Sequence, residues 1–186
     1  MRKSSFREAA TLRSLVLSGK SLRFTVTVYV WNNTEGVANG EIDTWLRQRI
    51  NPAHVIVAGT GVNSTLRTVY TSAIARLNAA NDVLCFFDDD SAFDADTYIA
   101  VLLSALSADS RSAVFLPKVW ANGELISPAH LGRFKGYRLT GIAPGRREGN
   151  RRSAINSGMA VRSSFFRYCF EGYDTSLKFY GLDVDL

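Results

Sequence analysis

The stretch Val83-Leu84-Cys85-Phe86-Phe87-Asp88-Asp89-Asp90-Ser91 decides the fold class. Five apolar residues run without a break and give way to three aspartates. A strand apolar on both faces belongs inside a parallel sheet covered by helices, where both faces are out of water. The sudden acid marks where such a strand leaves the core. Before it, Leu66, Val69, Tyr70, Ala73, Ile74 and Leu77 recur at helical spacing, and Asn63 or Ser64 can cap that helix. Earlier still, His54 to Ala58 and Phe24 to Val30 are β-branched or aromatic and predict two more strands. Ile42, Trp45, Leu46 and Ile50 mark a short amphipathic helix between them, and Phe6, Ala9, Leu12 and Val16 a first helix that Gly19 stops. After the aspartates, Asp94 or Asp96 starts a helix carrying Ile99, Leu102, Leu103 and Leu106. Ala113 to Leu116 is another strand, and Asn122-Gly123 signals a tight hairpin. Gly-rich, basic chain runs from Gly132 to Arg152, and Ala154 to Val161 is partly extended.

Strands alternating with helices predict an open α/β sheet, whose ligands sit outside the carboxyl ends of the strands. Three polar clusters fall at those ends: Asn32-Asn33, Gly59 to Asn63, and Asp88 to Ser91. The chain has 186 residues, 46% of them hydrophobic, which suits one ordinary domain or a large part of a bigger one. That composition excludes a disordered tail. No apolar run approaches the roughly 18 residues that a spanning helix needs. Arg7, Glu8 and Arg13 interrupt any signal-peptide core. Cys85 and Cys169 are too few for a disulfide framework, so a cytoplasmic location is expected. Net charge is +5, but Arg133 to Arg152 alone carries +6, with Arg133, Lys135, Arg138, Arg146, Arg147, Arg151 and Arg152 against Glu148. The excess is local, and invites an anionic partner at one place.

Three adjacent carboxylates repel one another unless something neutralises them. Two readings stand. One is a solvated loop with Asp90 or Ser91 capping the next helix. The other is a divalent cation held by one or two carboxylates and completed by substrate phosphates. No Gly stands at the sixth position from any of these aspartates, which speaks against an EF-hand.

The order Phe87-Asp-Asp-Asp-Ser91, then Asn156-Ser-Gly-Met-Ala-Val-Arg162, then Gly172-Tyr-Asp174, then Tyr180-Gly-Leu-Asp-Val-Asp-Leu186 resembles the family 2 glycosyltransferases of the GT-A fold, nearest the rhamnosyltransferase-like branch. Leu66-Arg-Thr-Val-Tyr70 also resembles the segment preceding that family's metal motif. The resemblance implies a Rossmann-like mixed sheet flanked by helices, with a small β-hairpin. It makes residues 1–186 a single, incomplete GT-A domain, lacking the first strand and the C-terminal part.

It also implies a chemistry. Asp88 and Asp90 match the Asp-x-Asp pair that holds Mn²⁺ or Mg²⁺ against the diphosphate of a nucleotide-sugar, and Asp89 between them is placed with the nucleotide-sugar contacts. Asp183 matches the general base that deprotonates the acceptor hydroxyl, so that one displacement inverts the anomeric centre. Asn156, Ser157 and Gly158 match the donor-sugar and acceptor side, and Asn32, Asn63 and Arg67 fall where the donor nucleotide is held. Asn32 stands in place of the family's base-recognising aspartate. Thr65 and Thr71 replace a usual Gly and Asn, and Leu182 replaces the Glu before the base. The implied partners are a UDP- or dTDP-linked sugar and a glycan or lipid-linked acceptor, with no nucleic acid. Arg146, Arg147, Arg151 and Arg152 are either a solvated surface or the contact for the donor diphosphate or an anionic acceptor, with peripheral contact at the inner face of the cell membrane. His54 and His130 are read as structural; Trp45 fits a helix core face and Trp120 a hairpin, with packing favoured for each over a sugar platform. Two other functions stand beside this one: a Mg²⁺-dependent phosphohydrolase with Asp88 as nucleophile, Asp90 as acid/base and Lys118 as the distant cation, and a degenerate domain that binds nucleotide or anionic glycan without turnover.

Overall fold

The computed structural model of the chain describes residues 6–18, 27–50, 55–59, 61–62, 64–78, 82–133, 136–139 and 141–173. Within them it is a mixed α/β protein, with five α-helices and ten short strands in four small sheets. Its residues group into two compact units: 1–73 with 89–103, and 74–88 with 104–186.

The first unit opens with a 3-10 turn, Phe6–Glu8, and helix α1, Ala10–Ser18. Strand β1, Val28–Trp31, and strand β2, Val55–Ala58, pair in parallel, with Val28 opposite Val55 and Trp31 opposite Ala58. Parallel neighbours need a crossover, and helix α2, Asn39–Arg47, supplies it. Its Ile42 and Leu46, one turn apart, are buried with Leu12, Val28, Ile50 and Val55. Trp45 flanks this core, edge-on to Phe6 at 5.7 Å and covered by the Arg49 guanidinium at 4.6 Å from its ring centre, so its packing role is observed. Helix α3, Leu66–Ile74, follows β2. Its cap is Thr65, whose hydroxyl accepts the Thr68 N–H at 3.3 Å. The expectation of Asn63 or Ser64 is corrected at Ser64, which instead bonds Val62 and Asn33; Asn63 lies outside the described residues, as does His54.

Helix α4, Ala95–Ala108, begins on Asp94, which accepts the Thr97 N–H at 2.7 Å. Neither Asp90 nor Ser91 caps it. The hydrogen bonds from Thr97 hold the Asp94 carboxyl below the ordinary carboxylate range. The chain passes from one unit to the other within α4.

In the second unit, strand β3, Val83–Cys85, and strand β4, Val114–Phe115, flank a strand from much later in the chain. The 117–153 region holds two further antiparallel sheets. Strands β5, Val119–Ala121, and β6, Glu124–Ser127, form the expected hairpin, with Asn122 and Gly123 at φ +51° and +78°, as a tight primed turn demands. Strands β7, Ala129–Leu131, β8, Gly136–Arg138, and β9, Arg152–Ser153, make a three-stranded sheet in the order β8-β7-β9. Thus part of the basic segment is sheet, where the sequence predicted only Gly-rich loop. Strand β10, Ala160–Arg162, completes the first sheet, antiparallel to both neighbours, with Ala160 facing Cys85 and Phe115. Here the expectation for Val83–Phe87 is corrected. Strand β3 is half-buried and antiparallel to its partner, whereas Met159, Ala160 and Val161 are the buried ones. Both flanking strands shield β10, so the deepest burial belongs to the strand in the middle.

Helix α5, Ser163–Tyr168, follows at once. Its Phe165 and Phe166 pack with Phe170 and Tyr173 in a ring cluster, the Phe170–Tyr173 centroids 4.8 Å apart. Arg162 ties the sheet to the end of α4. Its guanidinium donates to the carbonyls of Leu106 at 2.9 Å, Asp109 at 2.9 Å and Ser112 at 3.0 Å, and stacks 5.3 Å over Phe115. A cation that satisfies the last carbonyls of a helix also suits the negative end of its dipole. Arg162→Met is therefore expected to lower the unfolding free energy by about 2–3 kcal/mol. Urea titration should show an earlier midpoint at unchanged slope. Arg162→Lys should recover only part, because an ammonium lacks the planar fork. An unmoved midpoint in the Met variant would contradict this role.

Candidate functional site

The β10–β3 ladder continues past Cys85. Phe86 N–H donates to the Met159 carbonyl at 2.9 Å, and Gly158 N–H to the Phe86 carbonyl at 2.7 Å. Gly158, at φ +82°, turns the chain so that Asn156-Ser157-Gly158 runs alongside 86–88. That register brings the Ser157 hydroxyl onto the Asp88 carboxylate, donating to Oδ2 at 2.7 Å. Asn156 and Gly158 are buried and Asp88 and Ser157 half-buried. The structure thus brings together Asp88, Asn156, Ser157 and Gly158.

Asp89 and Asp90 form the turn that follows, and both side chains are exposed. Helix α1 fixes this loop from below: Thr11 N–H donates to the Asp89 carbonyl at 3.3 Å, and Thr11 Oγ1 to the Ser91 carbonyl at 3.0 Å. Ser14 Oγ accepts the Phe93 N–H at 3.1 Å. Sequence reasoning missed Thr11 and Ser14; two polar residues within an amphipathic helix were the only signal. Ser91 Oγ is buried without a hydrogen-bond partner among the described residues. An orphan of this kind costs on the order of 1–3 kcal/mol and asks for water or a ligand.

The Asp88 carboxylate is, by its chemistry, a ligand that suits a hard cation. Carboxylate and hydroxyl oxygens are what Mg²⁺ and Mn²⁺ take. Among the described residues, no three His, Cys, Asp or Glu gather into a group able to hold a metal.

Asn32 belongs to a different construction. It is buried, its amide donating to the Val37 carbonyl at 2.8 Å and to Asn39 Oδ1 at 3.0 Å, while its Oδ1 accepts the Thr34 N–H at 2.9 Å. Asn39 in turn donates to the Gly59 carbonyl at 2.8 Å. Both amide hydrogens of Asn32 are engaged within the loop, which the side chain helps to build. Arg67 lies half-buried in the first turn of α3. Asn63 and Asp183 lie outside the described residues.

The basic segment is partly tied down. Arg138 pairs with Glu124, and Arg146 lies 3.9 Å from Asp109. Arg147 donates to the Ala143 carbonyl and Arg152 to the Glu148 carbonyl, each at 3.3 Å. Arg151, at φ +55°, is exposed, and its carbonyl accepts the Leu131 N–H at 2.8 Å. Asp109 is held down at about 2, chiefly by the Ser112 hydroxyl and then by the Arg111 N–H. His130 sits within β7, opposite Tyr137 and Arg152 in the ladder. Lys118 lines a cavity beside the β5–β6 hairpin.

No family model, no curated protein and no solved structure matches this chain. Among the described residues, no helix is long and apolar enough to cross a membrane.

Proposed function

We propose that the chain is the nucleotide-sugar domain of an inverting, metal-dependent glycosyltransferase of GT-A type, moving a hexose or deoxyhexose to a glycan or lipid-linked acceptor. The observation that carries this reading is the 2.7 Å bond from Ser157 to Asp88. It joins two of the motifs on which the resemblance rests, separated by 69 residues, at the carboxyl end of a strand. In this reading Asp88 and Asp90 hold the divalent cation, which offsets the charge gathering on the departing diphosphate. Ser157 orients Asp88, as outer hydrogen bonds orient metal-binding carboxylates. Asn156 and Gly158 shape the sugar side. Asp183 takes the acceptor proton, a role that rests on the resemblance of 180–186. The tethered arginines supply positive charge toward the donor phosphates or an anionic acceptor.

A panel of nucleotide-sugars tested for thermal stabilisation decides between this and its rivals. A UDP- or dTDP-hexose should raise the melting temperature with Mn²⁺ present and not with chelator. Stabilisation by no nucleotide-sugar under either condition would remove the reading. A phosphoaspartate at Asp88 formed from a phosphate ester would replace it with the phosphohydrolase.

A further inference from the structure

We infer that the cavity beside the β5–β6 hairpin is a saccharide subsite that holds an acidic sugar ring against Trp120; its assignment to the acceptor rests on the transferase reading above. The cavity measures about 340 Å³, at the small end of ligand pockets and suited to one or two sugar rings. Its walls include Lys118, Trp120, Glu124, Leu125, Arg138 and Ile142. Trp120 and Leu125 are cross-strand partners, so their side chains share one face of the hairpin. Trp120 is 61% exposed. Trp120 is not a scattered surface residue: with Leu125 it forms the apolar part of a concave wall whose rim is charged, the combination of which ligand clefts are made.

The rim specifies the ligand. Arg138 and Glu124 form an ion pair, both side chains more than half exposed at 60% and 63%. Such a pair offers donors and acceptors side by side, the combination that hydroxyl groups, each a donor and an acceptor, can use. Lys118 is exposed, and adds a mobile point charge with three donors. With two cations against one carboxylate, the rim favours a negative group on the sugar, a phosphate or a uronate. A pyranose lays its C–H face on the indole and Leu125, turns its hydroxyls to the ion pair and places its acid on Lys118. A phosphate alone would leave the indole in water.

The test follows the Trp120 indole N–H by NMR in the full chain, its peak identified by loss in Trp120→Ala. Glucose 1-phosphate should shift that peak saturably. Glucose should do so at least ~10-fold more weakly, and inorganic phosphate not at all. Lys118→Ala should weaken the sugar phosphate by ~5–10-fold without moving the melting temperature, since that side chain is exposed. A silent indole, an equal response to inorganic phosphate, or tighter binding of uridine monophosphate, which would make this a base-stacking site, overturns the proposal. The readout needs neither donor nor metal. A shift in a protein that binds no nucleotide-sugar would uphold the subsite and remove only its acceptor assignment. Donor binding beside a silent indole would do the reverse.

Discussion

Asp88→Asn is expected to lower Mn²⁺-dependent affinity for the nucleotide-sugar by about 100-fold or more, because it deletes the half-buried charge at the site while keeping its shape. Asparagine still offers an oxygen to the Ser157 hydroxyl, so the fold should survive, and circular dichroism checks that it does. Ser157→Ala is the companion variant. It leaves the carboxylate but removes the bond that orients it, and losses of this type run at about 10–100-fold in metal affinity. Calorimetry with Mn²⁺ and with chelator separates the two effects. Equal donor affinity in both buffers for the unmodified protein would remove the cation assignment. Asp88→Asn matching the unmodified protein in Mn²⁺ would remove Asp88 from the site.

The largest effect on stability is expected at Gly59. Its φ is +100°, a region closed to side chains, and a Cβ there would lie 2.5 Å from the Asn32 carbonyl oxygen and 2.8 Å from its nitrogen. Backbone atoms cannot swing away as a side-chain tip can. Asn32 is also pinned by its own N–H to the Ala58 carbonyl at 2.8 Å and by its carbonyl to Gly61 N–H at 3.3 Å. Gly59→Ala therefore adds backbone strain to a steric overlap at the end of the parallel pair. It is expected to cost about 3–5 kcal/mol, at the upper end of single substitutions. Gly36→Ala serves as control: it also has positive φ, but nothing lies within 4 Å of its Cβ position, so only the strain of about 1–2 kcal/mol is expected. Denaturant midpoints compare them. Equal losses in both variants would show that the close approach to Asn32 carries no weight.

Legibility in the sequence followed locality. Helices α2, α3 and α4 and the parallel pair stood out because each repeats its own pattern within ten or so residues, and Asn122-Gly123 states its turn in two. Pairing across distance did not stand out. The apolar run of Val83–Phe87 looked like the centre of a sheet, yet Met159-Ala160-Val161 occupies that place, too short between Gly158 and Arg162 to show a period. Strands β7 to β9 were invisible for the same reason, being two or three residues long and laden with arginine. At the site, the acidic loop and Asn156-Ser157-Gly158 were visible as motifs. Their hydrogen bond was not, because nothing local encodes a contact 69 residues away. Asn32 carries a different ambiguity: a polar residue at a strand end reads as a ligand contact, and the same polarity also serves the loop itself.

The place of β10 between β3 and β4 sets an order of events during synthesis. Strands β3 and β4 both pair with β10 and not with each other. Until Ala160–Arg162 leaves the ribosome, each lacks its described partner, and Val83–Cys85 presents open N–H and C=O groups with apolar side chains. Ribosomes add about 5–20 residues per second, so the stretch from Cys85 to its partner Ala160 takes about 4–15 s to make. For that interval the nascent strand is an edge of the kind that captures other chains. The Asp88 carboxylate meanwhile stands beside it, and three consecutive charges at the end of an apolar run are the guard that keeps such an edge from pairing with a neighbour.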